Sequence, residues 1–219
     1  MDCCERVLDD LFDETNARRR LRDYRRDGPR GSTRRLLEAL AAGGVDGWTV
    51  LDIGGGVGAI HLGLLDAGAA SAVDVDASNA FVKAARSEAE RRGVGDRVRH
   101  LGGDAVLLGD RLEPADAVAL DRVVCCYPAM PALIGLAAAR ARRRLGIVVP
   151  RDSARVRLAV SLANAWQRIR RQSFRMHAHR TRQIEEIALA AGLRPAYRHR
   201  GWFWETLVFE RSAPNADAP

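Results

Sequence analysis

Apolar residues recur at helical spacing from Glu5 to Asp23 and again from Ser32 to Ala42, with the breaker Asp27-Gly28-Pro29-Arg30-Gly31 between them. The chain is therefore predicted to open on two helices, the second capped by Ser32 or Thr33. The period then changes. Trp48 to Ile53 is a short apolar run ending in glycines, and Ile60, Leu62, Leu64 and Leu65 follow at helical spacing as far as Gly68, which reads as strand, tight turn, helix. Ala70 to Val75 is a second strand, Ser78 to Arg92 a helix closed by Gly93, Val98 to Leu101 a third strand and Ala115 to Leu120 a fourth. A helix over Met130 to Arg144 and a fifth strand over Leu145 to Val149 complete the regular part. After Pro150 comes an arginine-rich helical stretch, Ser153 to Gln172, then a helix from Thr181 to Ala191 stopped by Gly192, and two closing strands, Arg194 to Arg200 and Trp204 to Glu210. Strands that alternate with helices imply a parallel sheet covered on both faces.

Composition narrows this to one α/β domain. The 219 residues are 47% hydrophobic and 29% charged, enough for a single core of ordinary size. No apolar run reaches the roughly 18 to 20 residues of a membrane span, and the start, MDCCERVLDDLFDE, is acidic where a secretory signal is basic and then apolar. A cytoplasmic protein with no membrane partner is expected. The four cysteines form two adjacent pairs, Cys3-Cys4 and Cys125-Cys126, unlike the spaced cysteines of a disulfide framework, so free thiols are expected. A net charge of +7 raises the question of nucleic acid. Lys83 is the only lysine, however, the arginine runs are scattered among helices, and aromatic residues at 5% leave few stacking platforms. The balance is against a nucleic-acid partner.

The informative segment is Val50-Leu51-Asp52-Ile53-Gly54-Gly55-Gly56-Val57-Gly58-Ala59. Glycines between a strand and a helix let the backbone approach a ligand and leave free N–H groups at the helix start. Gly54, Gly56 and Ala59 also satisfy the loose dinucleotide pattern G-x-G-x-x-G/A. Against a dehydrogenase stand the acidic Asp52 two positions before the first glycine, which suits a positively charged amino group better than a pyrophosphate, the helical stretch ahead of the first strand, and the lack of a Tyr-x-x-x-Lys pair. A phosphate-binding P-loop fails because no Gly-Lys-Ser/Thr occurs.

Asp52-x-Gly54-x-Gly56-x-Gly58 resembles the first motif of the class I S-adenosylmethionine-dependent methyltransferases, and later signals follow in that family's order. Asp74, in Val73-Asp74-Val75-Asp76, stands where the family places a carboxylate on the ribose hydroxyls, with Asp76 the second choice. Gly103-Asp104-Ala105 resembles the segment that meets the adenine amino group, and Asp121-Arg122-Val123-Val124-Cys125-Cys126-Tyr127-Pro128 follows the fourth strand, where the family lines the methyl-transfer site. The likeness covers about residues 34–211. It implies a Rossmann-like, doubly wound, mostly parallel seven-stranded sheet with the last strand antiparallel, preceded by N-terminal helices. The expected layout is a methyltransferase domain over 43–211 with a helical insertion at about 153–176, preceded over 1–42 by helices read as a lid, the alternative being a bland surface helix with solvated arginines, and followed over 212–219 by a polar tail expected to be disordered. The implied cofactor is S-adenosyl-L-methionine, held by Asp52, Gly54, Gly55, Gly56, Gly58, Asp74, Val75, Gly103, Asp104, Ala105, Asp121 and Arg122, with Tyr24 added from the lid and a neighbouring arginine on the methionine carboxylate. Within that class the Cys-Cys start, Tyr24-Arg25-Arg26-x-Gly28-Pro29, Val-Val-Cys-Cys-Tyr-Pro and Phe174 to His179 look similar to a branch related to magnesium-protoporphyrin O-methyltransferases. A porphyrin substrate does not follow from that.

Methyl transfer is an in-line displacement at a carbon already activated by the sulfonium, so alignment and exclusion of water come first and a base is needed only for a protonated nucleophile. His179, His177, Tyr127 and Asp121 are the candidates with reach, a histidine being able to take a proton near pH 7. Packing or capping of the last helix is the plain alternative for both histidines, and His61, His100 and His199 are expected to be structural. Cys125 and Cys126 are expected as small wall residues facing opposite ways. Thiolate metal binding would need Cys3-Cys4 folded over the site, and no metal site is expected. Two readings of Ser153 to Gln172 stand: Trp166 and nearby arginines hold an aromatic or acidic acceptor, or the helix packs by its alanine and valine stripe. A small-molecule acceptor methylated at oxygen is the leading reading. An RNA methylase, which lacks its usual Asn/Asp-Pro-Pro-Tyr/Phe here, and a non-catalytic cofactor-binding module are the alternatives.

Overall fold

Residues 13–170, 172 and 174–211 are described by a computed structural model. The expectations for Cys3-Cys4, for a helix beginning at Glu5 and for the tail 212–219 lie outside the described residues. Two helices, α1 (Glu14–Asp27) and α2 (Gly31–Ala41), precede the alternating part: β1 (Thr49–Ile53), α3 (Ala59–Asp66), β2 (Ser71–Asp76), α4 (Asn79–Arg91), β3 (Val98–Gly102), α5 (Ala105–Leu108) and β4 (Ala115–Asp121). A 3₁₀ turn over Val124–Cys126 leads to α6 (Met130–Arg140) and β5 (Ala141–Pro150), and α7 (Ala154–Ile169), α8 (Thr181–Ala190), β6 (Leu193–Arg200) and β7 (Trp204–Arg211) finish the chain. The seven strands form one sheet in the order β3-β2-β1-β4-β5-β7-β6, parallel except for β7, which runs antiparallel to both neighbours. The direction of winding reverses between β1 and β4, and in such sheets a crevice opens there at the carboxyl ends of the strands.

Alternate residues of the central strands feed two cores. Leu51, Ile53, Val118 and Leu120 meet Leu133 and Ile134 of α6 and Ile184 of α8 on one face, while Val50, Ala117, Ala119 and Val148 meet Leu36 and Leu40 of α2 and Ile60 and Leu64 of α3 on the other. The second face is filled by residues ahead of the first strand, because Gly146 of β5 leaves α2 room to lie against the backbone: a Cβ there would stand 2.6 Å from Leu36 Cδ1.

Helix α1 is tied down by charge. Glu88 of α4, its side chain fully buried, accepts from Arg25 Nε at 2.8 Å and also from Arg91 and Arg92, and Arg92 donates to the Tyr24 hydroxyl. Burial alone would raise the Glu88 carboxyl, but the three guanidiniums override it and hold it at about 2.

Several boundaries differ from the sequence expectation. Helix α2 starts at Gly31 after Arg30, with no side-chain cap bond, so neither Ser32 nor Thr33 caps it. The helix expected through Arg144 ends at Arg140, and Ala141 already belongs to β5. Arg142 to Arg144 look like a solvated helix end, yet Arg144 pairs with Glu210 across the β5–β7 register at 2.8 Å and Arg143 pairs with Asp116, so these arginines line a strand. In α7, Ser153 caps the start by accepting from Val156 N, and the helix stops at Ile169. Only Val156 and Val160 are buried along it, and Leu158, Leu162, Trp166 and Ile169 stand exposed.

A carboxyl held below its unfolded value contributes stability that is full above that value and lost as pH falls through the folded one. Glu88 should therefore contribute at neutral pH and lose that contribution between about 4.5 and about 2. The stability gap between wild type and Glu88→Gln, followed by urea unfolding, is expected to close across this window. A constant gap would mean that the three arginines do not hold the carboxylate.

Candidate functional site

The turn after β1 rests on two buried carboxylates. Asp52 Oδ2 accepts from the backbone N–H of His61 at 3.2 Å and meets His61 Nδ1 at 2.9 Å, and Asp74 Oδ2 meets His100 Nδ1 at 2.8 Å. Asp52, His61 and Asp74 are fully buried, and the two imidazoles touch edge to face at 6.0 Å. One oxygen of each aspartate and Nε2 of each histidine has no hydrogen-bond partner among the described residues. Burial, with Asp52 and Asp76 adding to it against the pull of His61, pushes Asp74 up to about 8. Burial and then Arg86 lower His100. At neutral pH this pair is held together as a neutral hydrogen bond more than as an ion pair.

Gly55 lies directly on this pair. A Cβ there would fall 2.2 Å from Asp74 Oδ1 and 3.1 Å from Asp52 Oδ2. Gly54 has a φ of +68°, and its Cβ would strike Val123 Cγ2 at 2.3 Å, so the turn needs both the left-handed conformation and the space.

Around the turn, successive strand ends each bring a carboxylate to one cleft of about 380 Å³. Asp76 closes β2 and accepts from Gly56 N at 3.0 Å and Ser78 N at 2.8 Å. Asp104, after β3, caps α5 through Val106 N and accepts from the Tyr127 hydroxyl at 2.9 Å. Asp121 ends β4 and accepts from Thr33 Oγ1 at 2.7 Å and Arg122 Nη2 at 3.1 Å, which binds the start of α2 to the cleft. Its Oδ1 is buried with no partner among the described residues, as is Oδ1 of Asp52. Arg122 adopts a φ of +61°, unusual for a side-chain-bearing residue, and its N–H reaches Val148 O at 3.2 Å. From α1, Arg20 points into the same cleft, its guanidinium lowered by burial and by Arg122.

The far wall is apolar. Phe174, Met176, Trp204 and Leu133 face the cleft, together with Tyr127, Cys125 and Cys126. The Asn164 side-chain amide of α7 bonds both main-chain groups of Met176, at 2.8 and 2.9 Å, and so fixes the segment that carries this wall. His177 and His179 stack on each other at 5.4 Å. His177 donates its backbone N–H to Cys125 O at 2.7 Å, and His179 Nε2 meets Tyr127 O at 3.0 Å. Burial lowers His179, which keeps its ring neutral near pH 7.

Of the residues expected from the sequence, Asp52, Gly54, Gly55, Gly56, Val75, Gly103, Asp104, Ala105, Asp121, Arg122 and Tyr127 line the cleft together. Asp74 does not: it points to the same side of β2 as Asp76 but one pleat deeper, sealed under Gly55. Tyr24 is buried against α4, and Arg20, one turn earlier on α1, reaches the cleft in its place. Gly58 sits behind the turn as the residue before α3. His177 and His179 brace the wall from outside, and Trp166 stands 57% exposed against Arg170. Cys125 and Cys126 do not face opposite ways, their sulfurs lying 3.8 Å apart. Arg20, Phe81, Leu133 and Trp204 carried no sequence signal of their own, whereas Phe174 and Met176 fall in the string singled out before the last helix. Among the described residues no three His, Cys, Asp or Glu side chains come together as a metal site, and no helix is long and apolar enough to cross a membrane.

With Asp74 near 8 in the fold against 3.8 in the unfolded chain, the folded protein holds the extra proton between those values, so this group's contribution to stability falls as pH rises through the window. Asp74→Asn should gain on wild type in urea as pH is raised from about 5 to about 8; a gain independent of pH would mean that Asp74 is ionised throughout. Gly55→Ala should cost about 1–3 kcal/mol. Gly135→Ala in α6, where a Cβ meets nothing within 4 Å, should gain about 0.5–1 kcal/mol by helix propensity. Equal effects at the two positions would remove the contact with Asp74 as the cause.

Residues 50–145 match the family model described as a methyltransferase domain. No curated protein matches this chain in sequence. Among solved structures, magnesium protoporphyrin IX methyltransferase from Synechocystis PCC 6803 with bound SAH is similar at a TM-score of 0.72 and 22% identity, over 94% of this chain and 99% of that one. An O-methyltransferase family 2 protein from Planctomyces limnophilus in complex with apigenin gives 0.65 and 21%, over 90% of this chain and 61% of that one. An O-methyltransferase family protein from Burkholderia thailandensis gives 0.66 and 20%, over 93% and 64%. The chain thus shares the fold of these methyltransferases, and its residues 50–145 match a methyltransferase domain.

Proposed function

We propose that the cleft binds S-adenosylmethionine and moves its methyl group to a small-molecule acceptor, at oxygen. The observation that carries this reading is the row of carboxylates Asp76, Asp104 and Asp121 at three successive strand ends around the glycine turn, opposite the Arg20 guanidinium. The residues present fit the group. Asp76 keeps lone pairs for two ribose hydroxyls beyond the two backbone N–H bonds it accepts. Asp104 is positioned for an adenine amino group. The unpartnered Asp52 Oδ1 suits an ammonium and Arg20 a carboxylate, the two charged ends of a methionine moiety. In this reading α1 and α2 serve as a cover, since Arg20 and Thr33 both come from them.

When bound, the cofactor supplies a methyl carbon activated by its sulfonium. The chain's own contribution is alignment in a dry site. Phe174, Met176 and Trp204 exclude water from the acceptor side, and the Asn164 clamp keeps that wall in place. A hydroxyl acceptor must lose a proton, and we assign that role to Asp121, whose side chain lines the cleft and whose Oδ1 has no partner among the described residues. His179 acts as a positioning residue through the Tyr127 carbonyl, with His177 stacked behind it. The O-methyltransferase folds among the similar structures support oxygen as the acceptor atom.

Calorimetry with S-adenosylmethionine and with a nicotinamide dinucleotide tests this directly: binding of the first and not the second is expected. Asp76→Ala should weaken that binding by about 1.5–3 kcal/mol through loss of a charged hydrogen-bonding partner. Unchanged affinity in Asp76→Ala would remove the ribose assignment, and preference for the dinucleotide would overturn the function.

A further inference from the structure

Cys125 and Cys126 occupy the 3₁₀ turn just past the end of β4, and both line the cleft. Their sulfurs converge. Cys125 Sγ reaches Arg122 O at 3.3 Å, Cys126 Sγ approaches the same carbonyl at 3.9 Å, and the two sulfurs are 3.8 Å apart. In an extended strand, neighbouring side chains point to opposite faces, so it is the helical turn that brings them together. The surroundings divide the pair. Cys125 is 2% exposed, while Cys126 is only partly buried and open to the cleft. The neighbouring Cys125 thiol favours the Cys126 thiolate, with Arg20 adding to it against burial, whereas Cys126 and burial disfavour that of Cys125.

We infer that Cys125 and Cys126 form a reversible redox site in the cleft, closing to a vicinal disulfide by exchange with a low-molecular-weight disulfide. The Cys126 thiolate attacks one sulfur of the disulfide RSSR, forming Cys126–S–SR and releasing RS⁻. Cys125 then loses its proton and attacks the Cys126 sulfur, forming Cys125–S–S–Cys126 and releasing a second RS⁻. The two cysteines are oxidised together by two electrons, RSSR is reduced to two thiols, and the two cysteine protons end on those thiols. Adjacent Cα atoms lie about 3.8 Å apart, below the usual disulfide range of about 4.4–6.8 Å, so the bond is strained and easily reduced, as a labile site requires.

Closure acts on the site through bonds already named. Joining the sulfurs rotates the 125–126 peptide, which carries the carbonyl that accepts from His177 N. The next residue, Tyr127, holds Asp104 with its hydroxyl and His179 with its carbonyl. One covalent change therefore disturbs both the Asp104 corner and the wall segment. The effect on ligand rests on reading the cleft as the S-adenosylmethionine site.

The test uses the full chain with Cys3 and Cys4 replaced by serine, leaving one adjacent pair of the four cysteines. After oxidised glutathione, intact mass should show loss of two hydrogens with no adduct, and peptide mapping should place the bond at 125–126. S-adenosylmethionine affinity by calorimetry should fall about tenfold and return with dithiothreitol. Cys125→Ser should stop at a lasting glutathione adduct on Cys126. A lasting adduct in the parent, or a disulfide that leaves affinity unchanged, would overturn the inference. Failure of the reduced protein to bind S-adenosylmethionine would sink the functional reading, while the mass result would still decide whether the pair closes.

Discussion

Two buried aspartates, each held by an imidazole, form the base on which the rest of the cleft stands. Burying an aspartate costs several kcal/mol unless it is bonded or neutralised. Here Asp52 is met by His61 from the start of α3 and Asp74 by His100 from β3, so four elements are joined beneath one turn of backbone. Because that base is rigid, the glycine turn above it has one height and one direction, and the strand ends beside it take their places relative to the turn. The residues that line the cleft are thus set in part by Asp74, His61 and His100, which do not line it.

The cleft is then assembled from segments distant in sequence by a few polar contacts. Thr33 reaches Asp121, Tyr127 reaches Asp104 and Asn164 holds Met176. Each ties two segments by directional bonds, which fix relative position where hydrophobic contact alone would permit sliding. The ion-paired Glu88 does the same for α1, at the edge of the second core rather than within the cleft.

The alternating architecture was legible because strand and helix periods are local properties, and the order of glycine and acidic motifs was legible because each sits at a strand end. What the sequence could not convey was depth. In Val73-Asp74-Val75-Asp76 both aspartates share a side of the strand, and only the length of β2 decides which lies at the open edge. Arg20 and Tyr24 share a face of α1, and which one enters the cleft depends on where that helix crosses the sheet. Arg142 to Arg144 read as a helix end because their partners, Asp116 and Glu210, lie far along the chain. Cys125-Cys126 reads as a strand end with alternating sides, whereas the pair sits in a 3₁₀ turn that brings both sulfurs together.

The missing side chain at Gly55 reaches beyond this one molecule. Its place is taken by Asp74 Oδ1, nineteen positions on in the chain. A lineage that put alanine at 55 would first have to shorten or withdraw the acid at 74, and one that lost that acid would be left with only the looser contact to Asp52 Oδ2 at 3.1 Å. Descendants of this sequence are thus confined to a narrow path through substitution space, on which the two sites drift as a pair and the visible motif is kept by a carboxylate outside it.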